Sequence, residues 1–195
     1  MVDRRQSAAL ALVGVGLAAF AWWSLASAAE TPLPSFLAPI DDLDALGLLP
    51  GVLDAEQTES ARVIARYAAR QTNNPIAWRA FARALIANAY GESKLRPGER
   101  GDSSASLGLF QLYTRGGQGN DALNRGYTVA QLLTAEGNAD YFVPYAWGLA
   151  RVREAAMTGD DAATTQAVTV YAERPRNAQA KAMERVGYLR ALFGG

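Results

Sequence analysis

From Ala8 to Ala29 the chain carries no charged residue, and this run of about 22 residues restricts its placement more than any other feature. It is long enough to cross the hydrocarbon core of a bilayer. No polar face recurs along it, so a helix packed on the surface of a soluble core does not fit. Arg4 and Arg5 precede the run and hold its N-terminal side in the cytoplasm, while Trp22 and Trp23 lie near its far end, where interfacial aromatics belong. A basic start, an apolar centre and the stretch Leu25-Ala26-Ser27-Ala28-Ala29 equally describe a cleavable signal peptide, with Ala26-x-Ala28 as the cleavage signal. Residues 1–29 are therefore read as a signal anchor or a signal peptide. Either places the remainder beyond the cytoplasmic membrane.

Residues 30–53 contain Pro32, Pro34, Pro39 and Pro50 and read as an extended linker. The folded domain is expected over 54–195. Helical patterning begins there, with Val63, Ile64 and Tyr67 as apolar positions of a helix over 55–70. Asn74-Pro75 is a cap followed by proline at the first helical position, and this second helix runs through Trp78, Phe81 and Leu85 to about Gly91. The segment from Pro97 to Gly119 is rich in Gly and Ser and reads as a loop or small hairpin region. Thr128, Asn138, Asp160 and Asn177 are capping residues that open further helices. Pro144 falls inside the Asn138 helix, where it is tolerated in the first turn or at a kink. The expected fold class is mainly α, with a small irregular or β-hairpin insert.

Two absences narrow the chemistry. The sequence has no Cys, which excludes disulfides and thiolate chemistry, and no His, which excludes His-ligated zinc sites and His-based triads. Lys plus Arg and Asp plus Glu both total 19, so nothing in the balance marks a nucleic-acid binder, although Arg174 and Arg176 together could meet an acidic polymer. Neither a metal nor a cofactor is called for. Acid–base catalysis must rest on carboxylates, Lys or Tyr. Glycosidases work with carboxylates alone.

Glu92 is the carboxylate that spacing singles out. Phe81, Leu85, Asn88 and Glu92 follow at steps of four, three and four, one stripe of a helix. Phe81 and Leu85 turn that stripe inward, so Glu92 is expected at the inner end of the helix, partly desolvated beside apolar residues. Burial and a nearby helix C-terminus both disfavour its charge, as a general acid requires.

The string Glu92-Ser93-Lys94-Leu95-Arg96-Pro97, followed by Ser106-Leu107-Gly108-Leu109-Phe110-Gln111-Leu112, resembles the lytic transglycosylase signature: a Glu-Ser pair, a nearby Pro, then a Gly-Leu-Phe-Gln element. Thr114-Arg115-Gly116-Gly117-Gln118-Gly119 and the Glu-Arg-Pro element in Tyr171-Ala172-Glu173-Arg174-Pro175 look like variants found in phage-encoded wall hydrolases. The resemblance covers about Pro75 to Arg185. The family's Tyr-Asn-Ala-Gly element is absent, and Tyr171 is the candidate for its Tyr. The fold implied is the helical lysozyme-like domain of soluble lytic transglycosylases and goose-type lysozyme.

The resemblance implies peptidoglycan glycan strands as substrate. In that family the Glu protonates the oxygen between N-acetylmuramic acid and N-acetylglucosamine, then takes the proton of the muramoyl C6 hydroxyl as a 1,6-anhydro ring closes. Glu92 takes that role. Ser93, Ser106, Gly108, Phe110, Gln111 and Tyr171 are the expected substrate-binding residues. Ser93 either holds Glu92 or a substrate amide, or bonds its own helix backbone. Gly108 is expected to admit a sugar ring close to the backbone, and Gln111 to meet N-acetyl groups. Phe110 reads more as core than as a sugar platform. A hydrolytic muramidase would need a second carboxylate to activate water. Glu99, Asp102 and Asp121 are the candidates, Asp102 also reading as a turn former. The further alternative is a wall-binding or structural envelope protein without activity. Expected partners are the membrane, through residues 8–29, and virion or envelope assembly proteins.

Overall fold

The computed structural model describes residues 43–194, which belong to one unit, Pro39–Gly195. The segment expected to anchor or export the chain lies outside the described residues. Among these residues no helix is long and apolar enough to cross a membrane. The fold is mainly helical with a small three-stranded sheet.

Packing begins earlier than the sequence suggests. Leu43–Leu46 forms a 3-10 turn inside the stretch read as linker. Leu43 and Leu46 are buried three residues apart, Arg83 Nε donates to Leu46 O at 2.6 Å, and the Leu49 N–H donates to Leu192 O at 2.8 Å. The second half of the expected linker is therefore part of the body. Its prolines did not prevent apolar side chains from reaching the core.

Helix α1, Ala55–Ala69, opens on a reciprocal capping box between Asp54 and Gln57. Helix α2, Pro75–Ser93, is capped by the Asn74 side chain, which accepts from the Ile76 and Ala77 N–H groups. Apolar residues occupy all sides of α2, and such a helix belongs in the interior. It packs against α1, against α6 (Ala150–Thr158), against α7 (Asp161–Ala167) and against α8 (Ala178–Phe193). Six buried alanines, from Ala77 to Ala89, give those neighbours close access, while Phe81, Leu85 and Ile86 fill the space between. The Phe81-Leu85-Asn88 stripe is fully buried as its spacing predicts.

Asn88 is the polar member of that stripe. Its amide donates to Ala84 O at 2.7 Å, and its Oδ1 accepts from the Thr169 hydroxyl at 2.7 Å. Thr169 belongs to a π-helix, Val168–Glu173, that continues α7. The Asn88–Thr169 bond fixes this wide turn against α2, one helical turn before Glu92.

The segment 97–119 folds as β1 (Arg100–Gly101), β2 (Ser106–Leu107) and β3 (Leu112–Tyr113), antiparallel in the order β1-β2-β3. Helices α3 (Gly117–Asn124), α4 (Val129–Leu132) and α5 (Ala135–Gly148) follow. Thr134, not Asn138, caps α5. Asn138 is instead buried within it, with Oδ1 accepting from the Phe110 N–H at 3.1 Å and Nδ2 donating to Leu132 O at 2.8 Å and Leu107 O at 3.1 Å. Capping residues and buried bridging amides share one residue type, and sequence does not separate them. Pro144 lies in the later half of α5, beyond its first turn.

Asn138 therefore satisfies three backbone groups of the irregular segment and its surroundings. Asn138→Ala leaves them unpaired in the interior and is expected to lower stability by about 2–4 kcal/mol in urea unfolding.

Candidate functional site

Glu92 ends α2 with a side chain 23% exposed, facing a cleft of about 820 Å³. The sheet segment supplies Asp102, Ser106, Phe110 and Gln111 to one wall, and the end of the π-helix supplies Glu173 and Arg174 to the other. Two shallower hollows adjoin it. One, of about 350 Å³, shares Glu92, Gly101 and Gln111 with the main cleft and adds Lys94, Arg96 and Glu99. The other, of about 480 Å³, shares Tyr113, Gln118, Glu173 and Arg174 and extends to Asp121, Tyr141 and Tyr145. Together they form an open groove, and Glu92 belongs to two of its three parts.

Backbone strain collects along this groove. Among the described residues, the non-glycine residues with positive φ are Lys94, Leu95, Asp102, Ser103, Ser104, Gln111 and Arg174. Lys94, Asp102, Gln111 and Arg174 line the groove directly. Such conformations persist only where the surroundings impose them. The Lys94 ammonium lies 4.5 Å and 4.3 Å from the ring centres of Tyr90 and Tyr188, which clamp the end of α2.

The residues expected to bind substrate divide into two groups. Ser106, Phe110 and Gln111 line the cleft beside Glu92. The Ser106 hydroxyl donates to Asp102 Oδ2 at 2.9 Å, so Asp102 both makes a left-handed turn and presents a fixed carboxyl to the cleft. Phe110 stacks on Phe142 with ring centres 4.1 Å apart, a core contact whose surface forms the cleft floor. Gln111 donates to Gly108 O at 2.9 Å, and a side chain at Gly101 would meet its Oε1 at 2.3 Å.

Ser93 borders the small hollow but, like Gly108 and Tyr171, lies outside the main cleft. The buried Ser93 hydroxyl lies 3.1 Å from Ala89 O and 3.0 Å from Leu109 O, joining the helix end to the loop rather than holding Glu92. Gly108 has φ of +74°, and a Cβ there would stand 2.2 Å from Asn138 Nδ2 and 2.3 Å from Leu132 O. The close approach it permits is to the protein's own backbone, not to a sugar ring. Tyr171 is 44% exposed and outside the groove lining. Within the π-helix it is Glu173, two residues on, that faces inward. Of the candidate second carboxylates, Asp102 is in the main cleft, Glu99 in the hollow shared with Glu92, and Asp121 in the far hollow. Asp121 accepts from the Tyr141 hydroxyl at 2.9 Å and pairs with Arg125 at 2.8 Å.

Sequence reasoning missed the charge behind Glu92. The Arg185 side chain on α8 is 1% exposed, and its Nη2 pairs with Glu92 Oε1. Its Nη1 pairs with Glu184 at 2.9 Å, and its Nε stands 4.0 Å from Glu173 Oε2. Glu173, with a side chain 5% exposed, has both carboxyl oxygens enclosed without a hydrogen-bond partner among the described residues. Burial first, and the Glu92 charge second, push its carboxyl up to about 8 against the pull of Arg185 and Lys181. Gly91 makes the arrangement possible, since a Cβ there would fall 2.1–2.4 Å from the Arg185 guanidinium. An isolated glycine in a helix marks a packing need, and Gly91 was the available signal for a bulky group against the helix at this point. Tyr113 was missed as well; it is 41% exposed and borders two parts of the groove.

Among the described residues no three Asp, Glu, His or Cys side chains gather as metal ligands do. No family model, curated protein or solved structure matches the chain.

Gly91→Ala sets two effects against each other. Alanine favours the helix by about 1 kcal/mol. Displacing the buried Arg185 from its partners is worth about 3–5 kcal/mol in the other direction. Denaturant unfolding should therefore show a net loss of about 2 kcal/mol or more.

Proposed function

We propose that the groove cleaves peptidoglycan glycan strands, with Glu92 as the acid and then the base of a lytic transglycosylase reaction on a lysozyme-like helical domain. The observation that carries this reading is the position of Glu92: at the end of a buried helix, partly exposed, where two parts of a groove meet. A polymer lying along the groove would pass Glu92 with sugars on both sides. The residues that bear the resemblance to the transglycosylase signature supply both Glu92 and the wall opposite it.

The reaction makes two demands on the site. Glu92 gives a proton to the glycosidic oxygen between N-acetylmuramic acid and N-acetylglucosamine. It then accepts the proton of the muramoyl C6 hydroxyl, which attacks C1 and closes the 1,6-anhydro ring. Holding that hydroxyl beside C1 replaces the encounter with water by an intramolecular step. Gln111 and the Ser106–Asp102 pair offer polar contacts for N-acetyl and hydroxyl groups, and Tyr113 offers an exposed ring face.

A second reading, a hydrolytic muramidase, is favoured by Asp102. Ser106 holds this carboxyl in the same cleft, where it could activate a water. A role in binding alone fits less well with an acid turned toward an open groove. Either enzyme would work in the cell envelope, on the outer side of the cytoplasmic membrane, or as part of a phage virion that opens the wall. In both cases residues 8–29 would supply the membrane contact or the export signal.

Glu92→Gln should lower the lysis rate of purified peptidoglycan by about 100-fold or more while thermal unfolding still shows a folded chain. Wild-type rates in this variant would refute the assignment. Mass spectrometry of the released muropeptides separates the two chemistries: 1,6-anhydro ends support the transglycosylase, and reducing ends support the muramidase.

A further inference from the structure

Arg185 faces three carboxyls and hydrogen-bonds two, the outer Glu184 and one of the two inner ones. Glu92, from α2, meets its Nη2, whereas Glu173, from the π-helix, stands 4.0 Å from its Nε, too far for a hydrogen bond. Both Glu173 oxygens and Arg185 Nε are enclosed without a hydrogen-bond partner among the described residues. The charged groups that act on Glu173 are Glu92 from α2 and Lys181, Glu184 and Arg185 from α8. Lys181 and Glu184 pair with each other at 3.0 Å, and both are more than a third exposed. Arg185 is therefore the buried cation for two inner carboxyls. One guanidinium neutralises one carboxylate, and the other must keep a proton or stand as a bare buried charge.

We infer that Glu92 and Glu173 hold one proton between them, and that Arg185 is the positioning residue that pairs with whichever of the two is ionised. This rests on the reading of Glu92 as the catalytic acid and adds how that acid is loaded. In the arrangement seen, Arg185 is on Glu92, which leaves the unpartnered Glu173 as the carboxyl assigned the proton. Before cleavage the proton passes to Glu92. The O–H bond of Glu173 breaks and its proton is given up to solvent, the partly exposed Glu92 takes a proton from solvent to form its own O–H bond, and the guanidinium turns to the carboxylate left on Glu173. The three groups keep the same total charge throughout, so loading the acid adds no net charge to a desolvated site. Burial of the unpartnered Glu173 carboxyl favours its protonated form and so favours keeping the reserve proton there.

The sign of the pH effect on stability follows from that elevation. A carboxyl raised in the folded chain keeps its proton where the unfolded chain has lost it. Its contribution to stability is complete below about 4.5 and disappears as pH rises through about 8. Thermal melts of the full chain should therefore show a decline across this window in the wild type. Glu173→Gln has no proton to lose there and should lack the decline.

Glu92→Gln frees Arg185 for Glu173 and removes the Glu92 charge, so the decline should shrink and move to lower pH. A Glu92→Gln chain that keeps the wild-type decline overturns the shared proton, and this holds even if Glu173→Gln does not fold. In lysis assays, Glu173→Gln should move the basic limb of kcat/KM down by about one pH unit or more, because the reserve proton is gone and Arg185 has no second inner carboxylate to turn to. A basic limb that stays in place also overturns the proposal, since a merely structural Glu173 would change the rate without moving the limb. A wild-type chain that leaves peptidoglycan intact counts against the enzymatic reading alone, and the two sets of melts still decide the shared proton.

Discussion

A guanidinium buried to 1% exposure is the constraint around which this fold is arranged. Desolvating such an ion costs several kcal/mol unless its partners are close and well directed. Here the partners come from three elements: Glu92 from α2, Glu173 from the π-helix, and Glu184 from α8 itself. Helix α2 must bring Gly91 against the guanidinium, because any side chain there would collide with it. The π-helix must stay in register with α2, and the buried Asn88–Thr169 bond secures this one turn earlier. These contacts place a carboxyl at the groove and support it from behind with a charge that does not reach solvent.

The regular and irregular parts of the chain divide the work. Helices with satisfied caps at Asp54, Asn74, Thr134 and Asp160 form a rigid body. The left-handed residues gather where the body opens, at the end of α2, in the turn 102–104, at Gln111 and at Arg174. Asn138 links the two regimes by satisfying backbone groups that a short three-stranded sheet leaves unpaired. A packed scaffold carrying strained, polar segments is a common arrangement for binding surfaces.

Sequence patterning revealed what depends on repetition and on local caps. The inward stripe Phe81-Leu85-Asn88, the proline start of α2, and the cap at Asp160 follow from spacing and from backbone chemistry within a few residues. Contacts between distant segments stayed hidden. Asn138 reads as a cap because its amide could serve either purpose, and only the fold brings residues 107 and 110 beside it. Gly108 signals close approach without saying to what, and the neighbour is Asn138 rather than a ligand. Arg185, between Glu184 and Val186 on α8, carries no local pattern that marks it as buried. Glu173 sits in a π-helix, whose wider turn breaks the helical spacing by which an inward face is recognised.

A single carboxyl that must first donate and then accept a proton faces a conflict that burial alone does not resolve. An environment that holds the proton tightly makes a poor donor, and one that favours the carboxylate makes a poor starting acid. If Glu92 is the acid proposed above, the Glu92–Arg185–Glu173 arrangement would ease this by separating where the proton rests from where it is used. While Glu173 keeps the proton, the Glu92 carboxylate has a full counter-charge. When Glu92 takes it, the counter-charge has a second carboxylate within reach. Glu184 stands outside the exchange: despite partial burial, its hydrogen bond to Lys181 and the Arg185 charge lower its carboxyl. Its bond to Nη1 holds one edge of the guanidinium and leaves Nη2 and Nε for the inner pair. The exchange would require Arg185 Nε and Glu173 Oε2 to close the 4.0 Å between them.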